Sequence, residues 1–462
     1  MKIVLLGAGQ VGGSVAHILA SEANDITVVD TDAERLHALQ DHLDIRTVCG
    51  CASYPVILEQ AGIADADMLI ALTNNDEINM IACQVAHTLF STPTKIARIR
   101  SSSYINHQDR LFNDNALSIN VLISPEQLVT DYIHHIIEHP GSLQVLDFAN
   151  SQVRLVGVKA YQGSKLVGYA LHTLPNHIPR TEIRVAAIFR RGRPILPEGN
   201  TIIEADDEVF FVAAYHNIGK IVDTLSGRKE VKYLMIAGGG HIGARLAKAL
   251  EQQKSRKYRI KVIDHSAATC RRLSEQLDRA IVLQGDASDE SLLRQETIEN
   301  VDIFCAVTHD DKANILSAML AKQMGARKVM ALINRVSYAE LVESSEIIDI
   351  AISPQQATIG SLLTHVRRGD VAQVHSLRRG AAEAIEAVAR GDYKTSKVVG
   401  RRLDEIQLPP GTTIGAIARG DQVIICHHDT VIEADDHVIM FMVDKKRVLE
   451  VERLFHPAAT FL

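Results

Sequence analysis

Lys2-Ile3-Val4-Leu5-Leu6-Gly7-Ala8-Gly9-Gln10-Val11-Gly12 stands at the start of the chain, and Lys232-Tyr233-Leu234-Met235-Ile236-Ala237-Gly238-Gly239-Gly240-His241-Ile242-Gly243 repeats its pattern. Each is an apolar run of one strand's length ending in G-x-G-x-x-G. That turn brings a strand's end against the first turn of a helix, whose N-terminus attracts anions. Gly7 and Gly238 permit the tight turn, Gly9 and Gly240 let a pyrophosphate approach the backbone, and Gly12 and Gly243 let helix and strand pack closely. Helical spacing follows in both copies, as Val11, Val15, Leu19 and as Ile242, Leu246, Leu250. A second apolar run then ends in an acid, Asp30 or Asp264, lying 18 residues beyond Gly12 and 21 beyond Gly243. About 20 is the spacing of a carboxylate that accepts from a ribose hydroxyl.

Working outward, residues 1–124 alternate strand and helix. Strands are expected at 2–6, 25–30, 45–49, 67–72, 95–99 and 119–123, and helices at 11–21, 32–42, 54–61, 76–90 and 105–115. Such alternation builds a parallel sheet covered on both faces. Met68-Leu69-Ile70-Ala71-Leu72 is continuously apolar, as a strand buried on both sides should be. Ser124 then caps a helix with Pro125 at its first position, and this helix, with Val129, Ile133, Ile136 and Ile137 at helical spacing, buries a face against something else. From 142 to 227 short strand-like runs separated by turns suggest a smaller α+β domain, and Ser226 to Glu230 suit a linker.

The whole arrangement recurs. Thr73 returns as Thr308 and Arg100 as Arg335 at an offset of 235, and Ser124-Pro125 as Ser353-Pro354 at 229. Ile203-Glu204-Ala205-Asp206-Asp207 returns as Ile432-Glu433-Ala434-Asp435-Asp436, also at 229. The expected architecture is α/β: two Rossmann-like parallel-sheet domains, 1–124 and 232–354, each followed by a small α+β domain, 142–227 and 370–456.

Candidate ligand contacts lie at the carboxyl ends of the strands. Cys51 follows the third strand of the first repeat and Asp286 that of the second; only the aspartate is a strong acceptor, so the two sites should differ. Thr73-Asn74-Asn75-Asp76 and Thr308-His309-Asp310-Asp311 follow the fourth strands, where these small polar loops either cap the following helix or touch ligand, with Thr73, Asn74 and Thr308 as the candidate contacts. Arg98 and Arg100 end the fifth strand, with Arg335 as counterpart, and suit phosphate oxygens. Ala8, Gln10, Val11, Gly239, His241 and Ile242 complete the two turns.

Composition narrows the function. A net charge of −7 offers no general affinity for nucleic acid, and no basic cluster interleaves with aromatics. The six cysteines contain no C-x-x-C pair, and the twenty histidines are scattered, so neither disulfides nor a metal site is expected. No window approaches 18 consecutive apolar residues, and the first strand leaves no room for a leader, so a cytoplasmic protein reaching any membrane through a partner is expected. Two cradles without G-x-S-x-G, Walker lysine, H-E-x-x-H or a Cys-His pair read as a sensor. A dehydrogenase on tandem Rossmann units and a redox-responsive repressor are the rival classes. The first needs turnover of NAD, and the second needs a DNA-binding element that the sequence does not display.

The stretches Lys2 to Gly12, Asp25 to Asp30, Gly285-Asp286-Ala287-Ser288 and Ile352-Ser353-Pro354-Gln355-Gln356-Ala357, with the duplicated small domain, resemble the tandem regulator-of-K⁺-conductance (KTN/RCK) family over nearly the whole chain. The resemblance implies a non-enzymatic peripheral subunit on the cytoplasmic face of the cell inner membrane. It further implies assembly as a ring, a tetramer, under an integral-membrane potassium translocating subunit of the TrkH or TrkG type. NAD (NAD⁺ or NADH), with ATP and ADP, would be the regulating ligands. Cys51 departs from the aspartate frequent in that family.

Overall fold

The computed structural model describes every residue except 22–23, 165, 179–180, 196, 227–230, 254–257, 336–337, 340, 343–346, 367–370, 378–381, 444–446 and 457–462. Most of the expected central linker, 227–230, lies outside the described residues.

The first sheet comprises β1 (Lys2–Leu6), β2 (Asp25–Asp30), β3 (Arg46–Cys49), β4 (Met68–Ala71), β5 (Thr94–Arg98) and β6 (Val121–Ile123). Its order is β3-β2-β1-β4-β5-β6, with every pairing parallel. Order reverses between β1 and β4, which opens a crevice at their carboxyl ends. The burial of all four residues of β4 follows from helices covering both faces. One difference from expectation is local: in place of one helix over 105–115 there are two short ones, Ser102–Ile105 and Gln108–Leu111. His107, at φ −119° and ψ 19°, leaves the helical region and separates them.

A five-stranded antiparallel sheet follows, with β7 (Ser142–Phe148), β8 (Val153–Lys159), β9 (Ile183–Arg190), β10 (Arg193–Ile195) and β11 (Glu208–Ala214) in the order β10-β9-β11-β8-β7. The second half repeats both layers. Its parallel sheet holds β12 (Tyr233–Ala237), β13 (Arg259–Asp264), β14 (Ile281–Gln284), β15 (Ile303–Ala306), β16 (Lys328–Leu332) and β17 (Ile350–Ile352), in the order β14-β13-β12-β15-β16-β17. Its antiparallel sheet holds β18 (Val371–Leu377), β19 (Ala382–Val388), β20 (Thr412–Arg419), β21 (Gln422–Ile425) and β22 (His437–Met442), in the matching order β18-β19-β22-β20-β21.

The halves are interlocked by two connecting helices. Helix Pro125–Glu138, capped by Ser124 accepting from the Gln127 amide, leaves the first parallel sheet and buries Val129, Ile133, Ile136 and Ile137 among Leu246, Leu250 and Leu332 of the second half. Helix Pro354–Val366 makes the reciprocal move: its Leu362, Leu363 and Val366 join a core with Val15, Leu19 and Ile123 of the first half. Each amphipathic face that its own domain leaves uncovered is thereby removed from water by the other domain. The two antiparallel sheets also share a core, where Phe148, Phe210 and Val212 meet Leu377, Ala384 and Phe441. There the amide of Ala149, in a left-handed run Ala149-Asn150-Ser151, donates to the buried Glu386 Oε2 at 2.8 Å. Among the described residues, no helix is long and apolar enough to cross a membrane.

Candidate functional site

Gly7 takes φ +100° and Gly238 φ +107°, a backbone region that side chains rarely adopt, so the strand can turn sharply into the helix. A Cβ on Gly12 would lie 1.9 Å from the Gly7 carbonyl oxygen, and one on Gly243 would lie 1.9 Å from that of Gly238. These two positions therefore fix the closeness of helix and strand. By contrast, a Cβ on Gly9 or Gly240 would meet nothing within 4 Å. The space over both turns is open, which is what a pyrophosphate approaching the backbone requires.

The acids hold these turns in shape. Asp30 Oδ2 accepts from the Ala8 amide at 2.6 Å while its Oδ1 accepts from Asp32 N at 2.9 Å. Asp264 repeats both contacts, with Gly239 N at 2.7 Å and Ser266 N at 2.8 Å. Each carboxylate oxygen accepts from one amide and has lone-pair capacity for a further donor such as a ribose hydroxyl.

At the end of β4, Thr73 does not cap the following helix; Asn75 does, accepting from Ile78 N. Thr73 instead donates from its hydroxyl to Asn79 Oδ1 at 2.6 Å, and Asn79 Nδ2 donates to the Arg98 carbonyl at 2.9 Å. Thr308, Asn314 and the Leu332 carbonyl repeat the relay at 2.7 and 2.9 Å, with Asp310 as the cap. Asn79 and Asn314 are fully buried and tie the loop after the fourth strand to the fifth strand. Neither is among the site residues expected from the sequence, although a polar residue recurring at offset 235 within an apolar helical face is a signal the sequence carries.

The same network corrects one expected correspondence. Asp76 Oδ2 accepts from the amides of Arg100 and Ser101, and Asp311 accepts from those of Asn334 and Arg335. Arg100 therefore corresponds to Asn334, and Arg335 to Ser101, because the turn before the fifth strand is one residue shorter in the second half. Arg98 corresponds to Leu332. The arginines are thus unevenly shared. Arg98 pairs with Glu126 at 3.5 Å, and burial pulls its guanidinium below the usual value while Glu126 and Asp76 oppose that shift and Arg100 adds to it. Arg100 hydrogen-bonds the Asn74 carbonyl and lies 3.7 Å from Asp76. Arg335 lies over the Tyr338 ring, 5.7 Å from its centroid.

Both turns open into one cavity of about 1230 Å³. Of the residues named from the sequence, all line it except Ala8, Gly239, Gly243 and Asp286. Ala8 and Gly239 present their amides to the acids, and Gly243 is covered by the Gly238 carbonyl. Asp286 Oδ1 accepts from Ser288 N at 2.8 Å and Ser288 Oγ at 2.6 Å, closing its own turn, and these bonds hold its carboxyl below the usual range. Cys51, by contrast, lines the cavity, with its Sγ 3.3 Å from Ser53 Oγ. Arg35, Pro125, Glu126, Lys312, Tyr338 and Gln355 line it too, and none of them is among the ligand contacts expected from the sequence. Glu126 and Gln355 come from the connecting helices, whose placement no local pattern specifies. Among the described residues, no group of three or more His, Cys, Asp or Glu could hold a metal ion.

Two units, each a glycine-turn domain with a small antiparallel domain behind it, thus meet at one cleft. This is the tandem arrangement of TrkA-type chains, and residues 3–125 and 234–354 each match the TrkA-N domain, while 155–226 and 393–456 match the TrkA-C domain. The chain is 59% identical to the Trk system potassium uptake protein TrkA of Halomonas elongata and 58% identical to that of Vibrio alginolyticus, with 100% of each chain covered in both cases. Its fold is similar to that of the GsuK channel bound to NAD, with a TM-score of 0.62 at 16% identity, covering 98% of this chain and 78% of that one. The chain belongs to the TrkA family of Trk system potassium uptake proteins.

Proposed function

We propose that the chain is a cytoplasmic, nucleotide-responsive regulatory subunit of a Trk-type potassium uptake system, acting on an integral-membrane translocating subunit of the TrkH or TrkG type. One observation carries the reading: two open glycine turns, each with its acid, face a single cleft that the first residues of both connecting helices also line. A nucleotide there touches both halves at once. A ligand preferring one relative arrangement of the halves shifts the population toward it, and the small domains carry the change outward. An adenine nucleotide fits the donor set: amides and a helix N-terminus for phosphates, and Asp30 or Asp264 for a ribose. NAD⁺ or NADH is the first candidate, supported by the similarly folded GsuK channel bound to NAD; ATP and ADP share the same phosphate and ribose chemistry. The turns and acids bind the ligand, the cleft excludes part of its water, and the chain performs no chemistry on it. Assembly as a homo-tetramer on the inner membrane's cytoplasmic face would multiply the two-site unit into a ring.

Potassium flux into vesicles holding the membrane partner tests this. Flux should change when this protein is added, and change again with NAD⁺, NADH, ATP or ADP. Flux indifferent to all four nucleotides in the presence of both proteins would sink the proposal.

A further inference from the structure

Helix His241–Gln252 begins at the second glycine turn, and Arg245 lies one turn along it. Its guanidinium reaches into the first half. Nη1 donates to Ser124 Oγ at 3.3 Å and Gln127 Oε1 at 3.4 Å, and Nη2 donates to the Arg100 carbonyl at 3.1 Å. One of these acceptors, the Arg100 carbonyl, belongs to a residue lining the first site, and the other two lie on the first turn of the connecting helix whose Pro125 and Glu126 line it. Arg100 lines the cavity, its amide is held by Asp76, and Ser124 caps the helix that brings Glu126 to Arg98. The second turn's helix is thus fastened by one planar, multiply donating group to the wall of the first site.

The reverse connection is built differently. The position matching Arg245 is Ser14, on helix Gln10–Ser21, and it has no side chain long enough to cross the interface. Instead, Gln355 of the second connecting helix reaches to Ser14 Oγ and, at 3.1 Å, to the Gln10 carbonyl. The halves share a fold but not this contact.

We propose that Arg245 is a positioning residue that couples the two sites, so that ligand in the second turn alters the affinity of the first. This rests on the nucleotide-binding reading above. Phosphate settling at the second turn draws on the N-terminus of helix His241–Gln252. Any shift of that helix moves Arg245, and with it the Arg100 carbonyl and the Ser124 cap. Loss of the guanidinium releases both. Lysine keeps the charge but not the fork, so it cannot hold three acceptors in two directions.

Calorimetric titration of the full-length protein with NAD⁺ tests the coupling. First-site affinity is compared between the parent chain, with both sites filling, and a Gly240→Ala chain whose second site stays empty over the same concentration range. With Arg245 present, filling the second site should change first-site affinity by about fivefold or more, the lower range of allosteric coupling. In Arg245→Ser and in Arg245→Lys that difference should shrink to less than about twofold, with both sites still binding. Undiminished coupling in either substituted chain, or no coupling in the parent, overturns the inference while leaving the proposed function standing. A parent chain that takes up neither NAD⁺ nor ATP overturns both. If Arg245→Ser fails to fold, the lysine chain gives the same comparison.

Discussion

The carboxylate of Asp30 receives the amide of Ala8 at 2.6 Å, so the residue expected to meet a ribose is also what holds the glycine turn in shape. Its other oxygen receives Asp32 N. Asparagine has one acceptor oxygen and cannot serve both amides. Asp30→Asn should therefore lower stability by about 1–2 kcal/mol through one unsatisfied amide. It should also weaken nucleotide binding at the first site about tenfold, as loss of a charge-assisted hydrogen bond does. Thermal melting and calorimetry read the two effects separately. Lower stability with unchanged affinity would leave Asp30 only its part in shaping the turn.

Gly12 and Gly9, three residues apart in the same turn, should fail in opposite ways. Gly12→Ala drives a Cβ to 1.9 Å from the Gly7 carbonyl oxygen, and should cost about 1–3 kcal/mol of stability by overpacking. Gly9→Ala places its methyl in open space. It should leave stability within about 0.5 kcal/mol, as substitutions away from packed features do, while weakening nucleotide binding at the first site. Denaturant unfolding with and without nucleotide distinguishes them. A Gly9→Ala chain that binds as the parent does would remove the turn from the ligand's path.

Acid should loosen the contact between the small domains. His375 packs edge-on against Phe148 with ring centroids 5.0 Å apart, and desolvation pulls it down to about 4, against the raising influence of Asp147. Half-buried His135 is lowered for the same reason, against Asp147 and Glu138 and reinforced by Arg154 and His134. A histidine with a depressed folded value takes up its proton more readily when unfolded, so stability falls as pH drops from about 6.5 toward 4. The loss should be on the order of 1–2 kcal/mol, because relaxation and water entry discount the full shift. His375→Gln should flatten that part of the profile. A melting temperature as steep in pH for the variant as for the parent would assign the dependence elsewhere.

Much of the fold was legible because its signals are contiguous. β1 and β12 announce themselves as apolar runs ending in glycine, and the helices after them by their spacing. The repeat register was readable to within one residue, failing at Arg100 and Arg335, where a shortened turn shifts the second copy and identical residue types misled the alignment. Asp286 was legible only in part: its position at a strand's end follows from the sequence, but its engagement with Ser288 depends on the rotamer the turn imposes.

The sequence by itself determined two glycine turns, two acids, two parallel sheets and two small domains, since each follows from neighbours along the chain. It showed that Val129, Ile133 and Ile137 needed covering, but not by what. Only the tertiary structure decided that each connecting helix is buried in the opposite half, that both turns open into one cleft, and that Arg245 reaches Arg100 across 145 positions. Periodicity records which face avoids water; the partner that removes it from water is chosen by packing between segments far apart in the chain.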